Sequence, residues 1–153
     1  MYYRGLQVKY LGIFTVQSRA FTCATDDVKC SFYRAANAIF GKVGRLASEE
    51  VTLQLIKLKC IPVLYCLVAC PLNKTQLSSL DFAMNRFLMK LFNTSNMETV
   101  TYCREQFNFE LPSVILACHT SLFLDKLRHC DNCLIKKCYA YLTDLFCFDF
   151  VYL

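Results

Sequence analysis

The residues best suited to chemistry lie late in the sequence, where Cys118-His119 is followed by His129-Cys130, Cys133 and Cys138. A tetrahedral zinc site needs four Cys or His ligands, and Cys130-x-x-Cys133 has the spacing of one half of such a site. The other half fits no zinc-knuckle spacing, and with eleven Cys in 153 residues one close pair is an ordinary coincidence. A redox Cys-x-x-Cys wants a strand before it and a helix after it, whereas the residues leading to Cys130 carry a helical pattern. Neither His has a Cys or Ser and an Asp at a spacing that suits nucleophilic catalysis. Asp26-Asp27 invites a metal, but two acids at a helix start satisfy exposed N–H groups and complement the helix dipole without any chemistry. The cysteines are odd in number and irregular in spacing, and a free Cys behaves as a small buried hydrophobe. Core filling is the expectation for most of them.

The cations are more organised. Residues 28–92 hold Lys or Arg at positions 29, 34, 42, 45, 57, 59, 74, 86 and 90 against acids at 49, 50 and 81, a net +6, while the rest of the chain is −1. At about 100° per residue, Val28, Phe32, Ala35, Ala36, Ile39, Phe40 and Val43 share one arc of a helix and Arg34, Lys42 and Arg45 lie opposite. Leu77, Leu80, Ala83, Met84, Phe87, Leu88 and Leu91 repeat the arrangement, with Arg86 and Lys90 on the outer side. Two amphipathic helices of this kind call for a shared core, and their basic backs suit either solvent or a polyanion.

The elements that must position these residues follow from composition and punctuation. With 56% hydrophobic and 19% charged residues the chain has the material for one globular domain, and four Gly with three Pro favour helices over a sandwich or barrel. Residues 6–16 are β-branched and aromatic and read as a strand, with Gly12 as a bulge or close-approach point. Residues 14–23 supply at most one hairpin partner, so the opening reads as the end of a sheet whose other strands lie elsewhere, with an edge open to self-association. Ser48 with Glu49 and Glu50 starts a second helix, which Pro62 breaks near Ile61; the run 63–69, apolar all round, belongs at the centre of the core. Asn73 and Gln76 form a capping box for the third helix, which stops at residues 93–96. Asn96 caps a fourth helix over 97–107, and Pro112 opens a fifth that runs to about Arg128. The aromatic tail, residues 134–153, suits strand and helix equally.

Four stretches in this order, Lys9-Tyr10-Leu11-Gly12, Phe32-Tyr33-Arg34-Ala35-Ala36-Asn37-Ala38-Ile39, Lys59-Cys60-Ile61-Pro62-Val63-Leu64-Tyr65 and Asn85-Arg86-Phe87-Leu88-Met89-Lys90-Leu91-Phe92, together resemble one family. They look like the region just downstream of the palm in the reverse transcriptases of non-LTR (LINE-type) retrotransposons, over roughly residues 6–118. The resemblance implies a hairpin that follows the catalytic sheet and grips the primer, then a helical thumb-like unit that closes on the template-primer duplex. By the same comparison Lys9, Tyr10, Gly12, Arg34, Lys42, Arg45, Arg86 and Lys90 would contact nucleic acid. Polymerase chemistry needs carboxylates that hold two divalent cations, and the family places them upstream of the Tyr-Leu-Gly strand. Asp26-Asp27 lies downstream of it and lacks both the aromatic residue and a third acid. The family usually has a glycine and then an acid after Leu64-Tyr65, where this chain has Cys66 and Val68, and beyond Cys118 no family pattern continues.

The expectation is therefore a mostly α chain: residues 1–24 a β-hairpin remnant of the palm edge, 25–118 a helical thumb-like bundle, and 119–153 a divergent Cys- and aromatic-rich tail. Its expected role is that of a non-catalytic fragment of an RNA-directed DNA polymerase, the remnant of a transposable element, with an RNA/DNA duplex as partner and no small-molecule substrate, cofactor or metal. The rivals are a small zinc-binding module built on the Cys/His cluster and a helical remnant without a role. The opening residues include no apolar stretch of signal-peptide type and no run is long enough to span a bilayer, which points to an intracellular setting, cytoplasmic or nuclear.

Overall fold

The computed structural model describes residues 7–10, 13–16, 22–43 and 46–150. The fold is mostly α, with a small antiparallel sheet ahead of the helices. The strand expected over residues 6–16 is in fact two strands, β1 (Gln7–Tyr10) and β2 (Ile13–Val16), which pair with each other from Tyr10↔Ile13 to Gln7↔Val16. The chain reverses between Tyr10 and Ile13, so this stretch finds its first partner within itself. Gly12, expected as a bulge, lies outside the described residues. A third strand, β3 (Thr22–Ala24), pairs with β2 and leads directly into the first helix. The order β1-β2-β3 leaves β1 and β3 as the two edges.

Helix α1 (Asp26–Val43) begins with its two acids in the first turn, where Asp26 pairs with Lys29 at 2.6 Å. Val28, Phe32 and Ala36 of its expected apolar arc are buried. Helix α2 (Glu49–Lys59) starts at Ser48, whose side chain accepts from the Val51 N–H, and ends before Pro62. A proline cannot donate the bond that a continuing helix needs, but it is tolerated in a first turn. The chain accordingly restarts as the short α3 (Ile61–Leu64), followed by a single 3-10 turn (Tyr65–Leu67). This breaks the run expected to be buried throughout: Leu64 and Leu67 enter the core, while Tyr65 and Ala69 remain exposed.

Helix α4 (Lys74–Leu91) is the centre of the molecule and packs against α1 and against the two helices that come next in the chain. Its capping box is complete, with Asn73 accepting from the Gln76 N–H at 2.8 Å and Gln76 accepting from the Asn73 N–H at 3.0 Å. Leu80, Ala83, Met84, Phe87, Leu88 and Leu91 are buried, and each large side chain among them contributes about 1.5–3 kcal/mol by leaving water.

Helix α5 (Met97–Gln106) is capped by Asn96, and α6 (Pro112–Arg128) runs without a break through the boundary expected at 118–119. No side chain of its own caps α6. Asp81 of α4 takes that part, accepting from the Ser113 N–H at 2.9 Å. Two turns further on, the Thr120 hydroxyl donates to the Val68 carbonyl at 3.1 Å, satisfying a group that the broken helix leaves free. The aromatic tail is helical: α7 (Cys133–Phe150) packs along α6.

Candidate nucleic-acid interface

Arg34 and Lys42 on α1 and Arg86 and Lys90 on α4 are all exposed. Arg86 and Lys90 are one turn apart and share a face of α4. Lys90 crosses to α1: its Nζ donates to Asn37 Oδ1 at 3.1 Å and stands 4.7 Å from the centroid of the Phe40 ring, which itself meets Phe87 edge-on at 6.4 Å. A second lysine spans the same seam from the other side, Lys29 Nζ donating to Ser79 Oγ at 3.0 Å. The residues of α1 that face α4 are therefore Lys29, Asn37 and Phe40.

Arg34 lies about 60° from Asn37 around α1, on the solvent side of the seam, whereas Lys42 lies about 140° from Asn37 on the flank turned away from α4. Around α1, Arg34 thus lies nearer than Lys42 to the side that carries Asn37 and its bond to Lys90. Lys9 and Tyr10 occupy the end of β1, paired with Phe14 and Ile13 of β2; Gly12 and Arg45 lie outside the described residues. Much of the remaining basic surplus is used within the fold. Lys29 is tied to Asp26 and Ser79, and Lys57 donates to the Asn108 carbonyl at 2.8 Å while lying 5.3 Å from the Phe109 ring centroid.

Beside the cation pair of α4 is an open groove of about 600 Å³, lined by Arg86, Met89, Lys90, Asn93, Thr94 and Ser95. Helix α4 ends there in a Schellman turn, with Asn93 left-handed at φ 49° and the Thr94 N–H returning to the Met89 carbonyl at 3.0 Å. The turn sets an amide and two hydroxyls next to two cations, a combination that can neutralise and hydrogen-bond phosphate oxygens. Asn37, Asn93, Thr94 and Ser95 were not among the expected contacts. An Asn inside a basic helix, where such residues are poor helix formers, is the signal that marks Asn37; the other three read only as a helix stop.

The Cys/His cluster does not converge. Among the described residues no three His, Cys, Asp or Glu side chains come together to hold a metal. His119 packs on the Tyr65 ring at 4.4 Å between centroids, and His129 Nδ1 donates to the Asp125 carbonyl at 2.8 Å, closing the end of α6. Cys118, Cys133 and Cys138 are exposed. Asp26 and Asp27 lie in the first turn of α1, where Asp26 pairs with Lys29.

Among the described residues no helix is long and apolar enough to cross a membrane. The chain matches no protein-family model, no curated protein and no solved structure.

Proposed function

We propose that this chain is a non-catalytic, thumb-like unit of reverse-transcriptase descent, from the non-LTR retrotransposon type, and that it binds the phosphate backbone of an RNA–DNA duplex. The observation that carries the reading is the seam between α1 and α4. Lys90, bonded to Asn37, ties α4 to α1 beside exposed Arg86 on its own helix face, with the polar groups of Asn93, Thr94 and Ser95 in the adjoining groove, and exposed Arg34 of α1 is read as extending that surface. Backbone phosphates demand cations and hydrogen-bond donors on rigid elements but no particular base contacts. Such a surface grips a duplex without reading its sequence. Catalysis is no part of the reading, because the resemblance places the metal-binding carboxylates in strands upstream of the Lys9-Tyr10-Leu11-Gly12 stretch.

The test is a salt titration of the purified chain's affinity for an RNA–DNA hybrid. Changing Arg34, Arg86 and Lys90 together to Ala is expected to weaken binding to all sequences alike and to make the plot of log affinity against log salt shallower, by about one unit for each phosphate that is no longer neutralised. Lys42→Ala should change the slope less than any one of the three. An unchanged slope in the triple variant, or a wild-type affinity indifferent to salt, would reject this surface as the binding face.

A further inference from the structure

Cys23 and Cys70 come from parts of the chain 47 residues apart, and their Sγ atoms meet at 2.6 Å in the core. Cys23 is the middle residue of β3, and Cys70 ends the bend after the 3-10 turn, where its N–H returns to the Leu67 carbonyl at 2.9 Å. The two residues are only 5% and 4% exposed. Cys66, half-buried and donating its Sγ–H to the Val63 carbonyl at 3.1 Å, is close enough to act electrostatically on both. This is where the sheet meets the helices, β2 also packing on α1.

We propose that Cys23 and Cys70 form a redox-responsive disulfide that staples the N-terminal sheet to the helical core. Two thiols on separate elements whose Sγ atoms the fold sets 2.6 Å apart are already close to the disulfide bond length of about 2.05 Å. The oxidant suited to such a pair is a small disulfide such as oxidised glutathione. One cysteine thiolate attacks it, forming a mixed disulfide and releasing one glutathione thiolate; the second cysteine thiolate then attacks the protein-side sulfur and releases the other. Two electrons pass from the protein sulfurs to glutathione, and the two thiol protons end on the two released glutathiones. Burial pushes the Cys70 thiol above its ordinary range, Cys23 adding to this as a hydrogen-bond and charge neighbour, and burial raises Cys66 as well. Thiolate, the reacting form, is therefore scarce at Cys70 in the closed molecule, and exchange proceeds when the three-residue β3 opens.

The experiment uses the full chain, folded, incubated in oxidised glutathione and then alkylated in denaturant. The expected result is a linked pair of peptides, placed by fragmentation at Cys23 and Cys70, that disappears on reduction. Loss of this link in both Cys23→Ala and Cys70→Ala, with no new link to Cys66, supports the pairing. A wild-type protein that retains both thiols free under this treatment, or that links Cys66 to Cys70 instead, overturns the proposal without touching the duplex-binding reading.

Discussion

Lys90 combines two properties that compete in a single side chain. Its charge is exposed, as binding to phosphate requires, yet its Nζ is already engaged with Asn37 and the Phe40 ring. An exposed hydrogen bond to a neutral partner and a solvated cation–π contact are each worth about 0.5–1.5 kcal/mol, little enough for a phosphate to share or replace them. The helical periodicity in the sequence shows Arg34, Lys42 and Lys90 as outward-facing. It does not show that Lys90 reaches a residue 53 positions earlier and so joins α4 to α1. Cys60 illustrates a different effect of burial. Fully enclosed, its thiol is pushed from 9.0 up to about 11 by desolvation. The folded state thus keeps a proton that the unfolded chain releases, so the associated stability is complete below pH 9 and is lost as pH rises toward 11. The expected loss is roughly 1.4 kcal/mol per pH unit for this thiol. Urea unfolding of wild type and Cys60→Ala across that interval, under reducing conditions, should show a shallower decline in the variant; parallel declines would mean that Cys60 ionises equally in both states.

The helices were largely legible because their ends carry local chemistry. Ser48, Asn73 and Asn96 accept bonds from the N–H groups that begin α2, α4 and α5, and capping of this kind depends on residues only two or three positions apart. The sheet was less legible, since the β-branched run 6–16 reads as one strand, and only the pairing Tyr10↔Ile13 shows that it holds two. The tail was ambiguous for a similar reason: its aromatic residues suit either structure, and α7 is helical against a neighbour that the tail's own sequence does not reveal. The scarcity of glycine also has a structural answer. Asn93 and Asn108 take the left-handed position after α4 and α5, at φ 49° and 48°. After α5 the Phe109 N–H returns to the Arg104 carbonyl at 2.9 Å and the Asn108 N–H to Glu105 at 3.0 Å, the double closure of a Schellman turn. Asn108→Ala is expected to lower the unfolding free energy by about 1 kcal/mol, since Ala lacks the local polar compensation that Asn has there. Asn108→Gly should be nearly neutral, relief of strain being offset by a freer unfolded chain. Chemical denaturation of the two variants checks the order; equal losses would mean that side-chain contacts rather than the backbone angle set the preference.

For the whole molecule, Cys23 joins the sheet to the core: it belongs to one buried cluster that runs from it through Val28 to Leu116. Closing the Cys23–Cys70 link would form a loop spanning 47 positions and, on loop-entropy grounds, raise stability by up to about 4 kcal/mol. Comparison of urea midpoints for oxidised and reduced protein tests this, the oxidised form being expected to unfold later. Identical midpoints would mean that the sheet detaches before the core and that the link restrains nothing in the cooperative step. None of this was readable from cysteine spacing, because positions 23 and 70 become neighbours only when the strands fold back onto the bend after α3.

The placement of α6 has a further meaning. Its start is held by Asp81 and its middle by the Val68 carbonyl, two polar partners on different elements and matched to residues two turns apart. Apolar packing is only weakly directional, and α6 buries a single leucine, Leu116, between Pro112 and Thr120, so packing alone fixes its alignment loosely. A slide here would strand the Ser113 N–H and the Val68 carbonyl together. The two bonds therefore act as a ruler: they add little to the strength of packing, but they make one alignment of the helix distinguishable from its near copies.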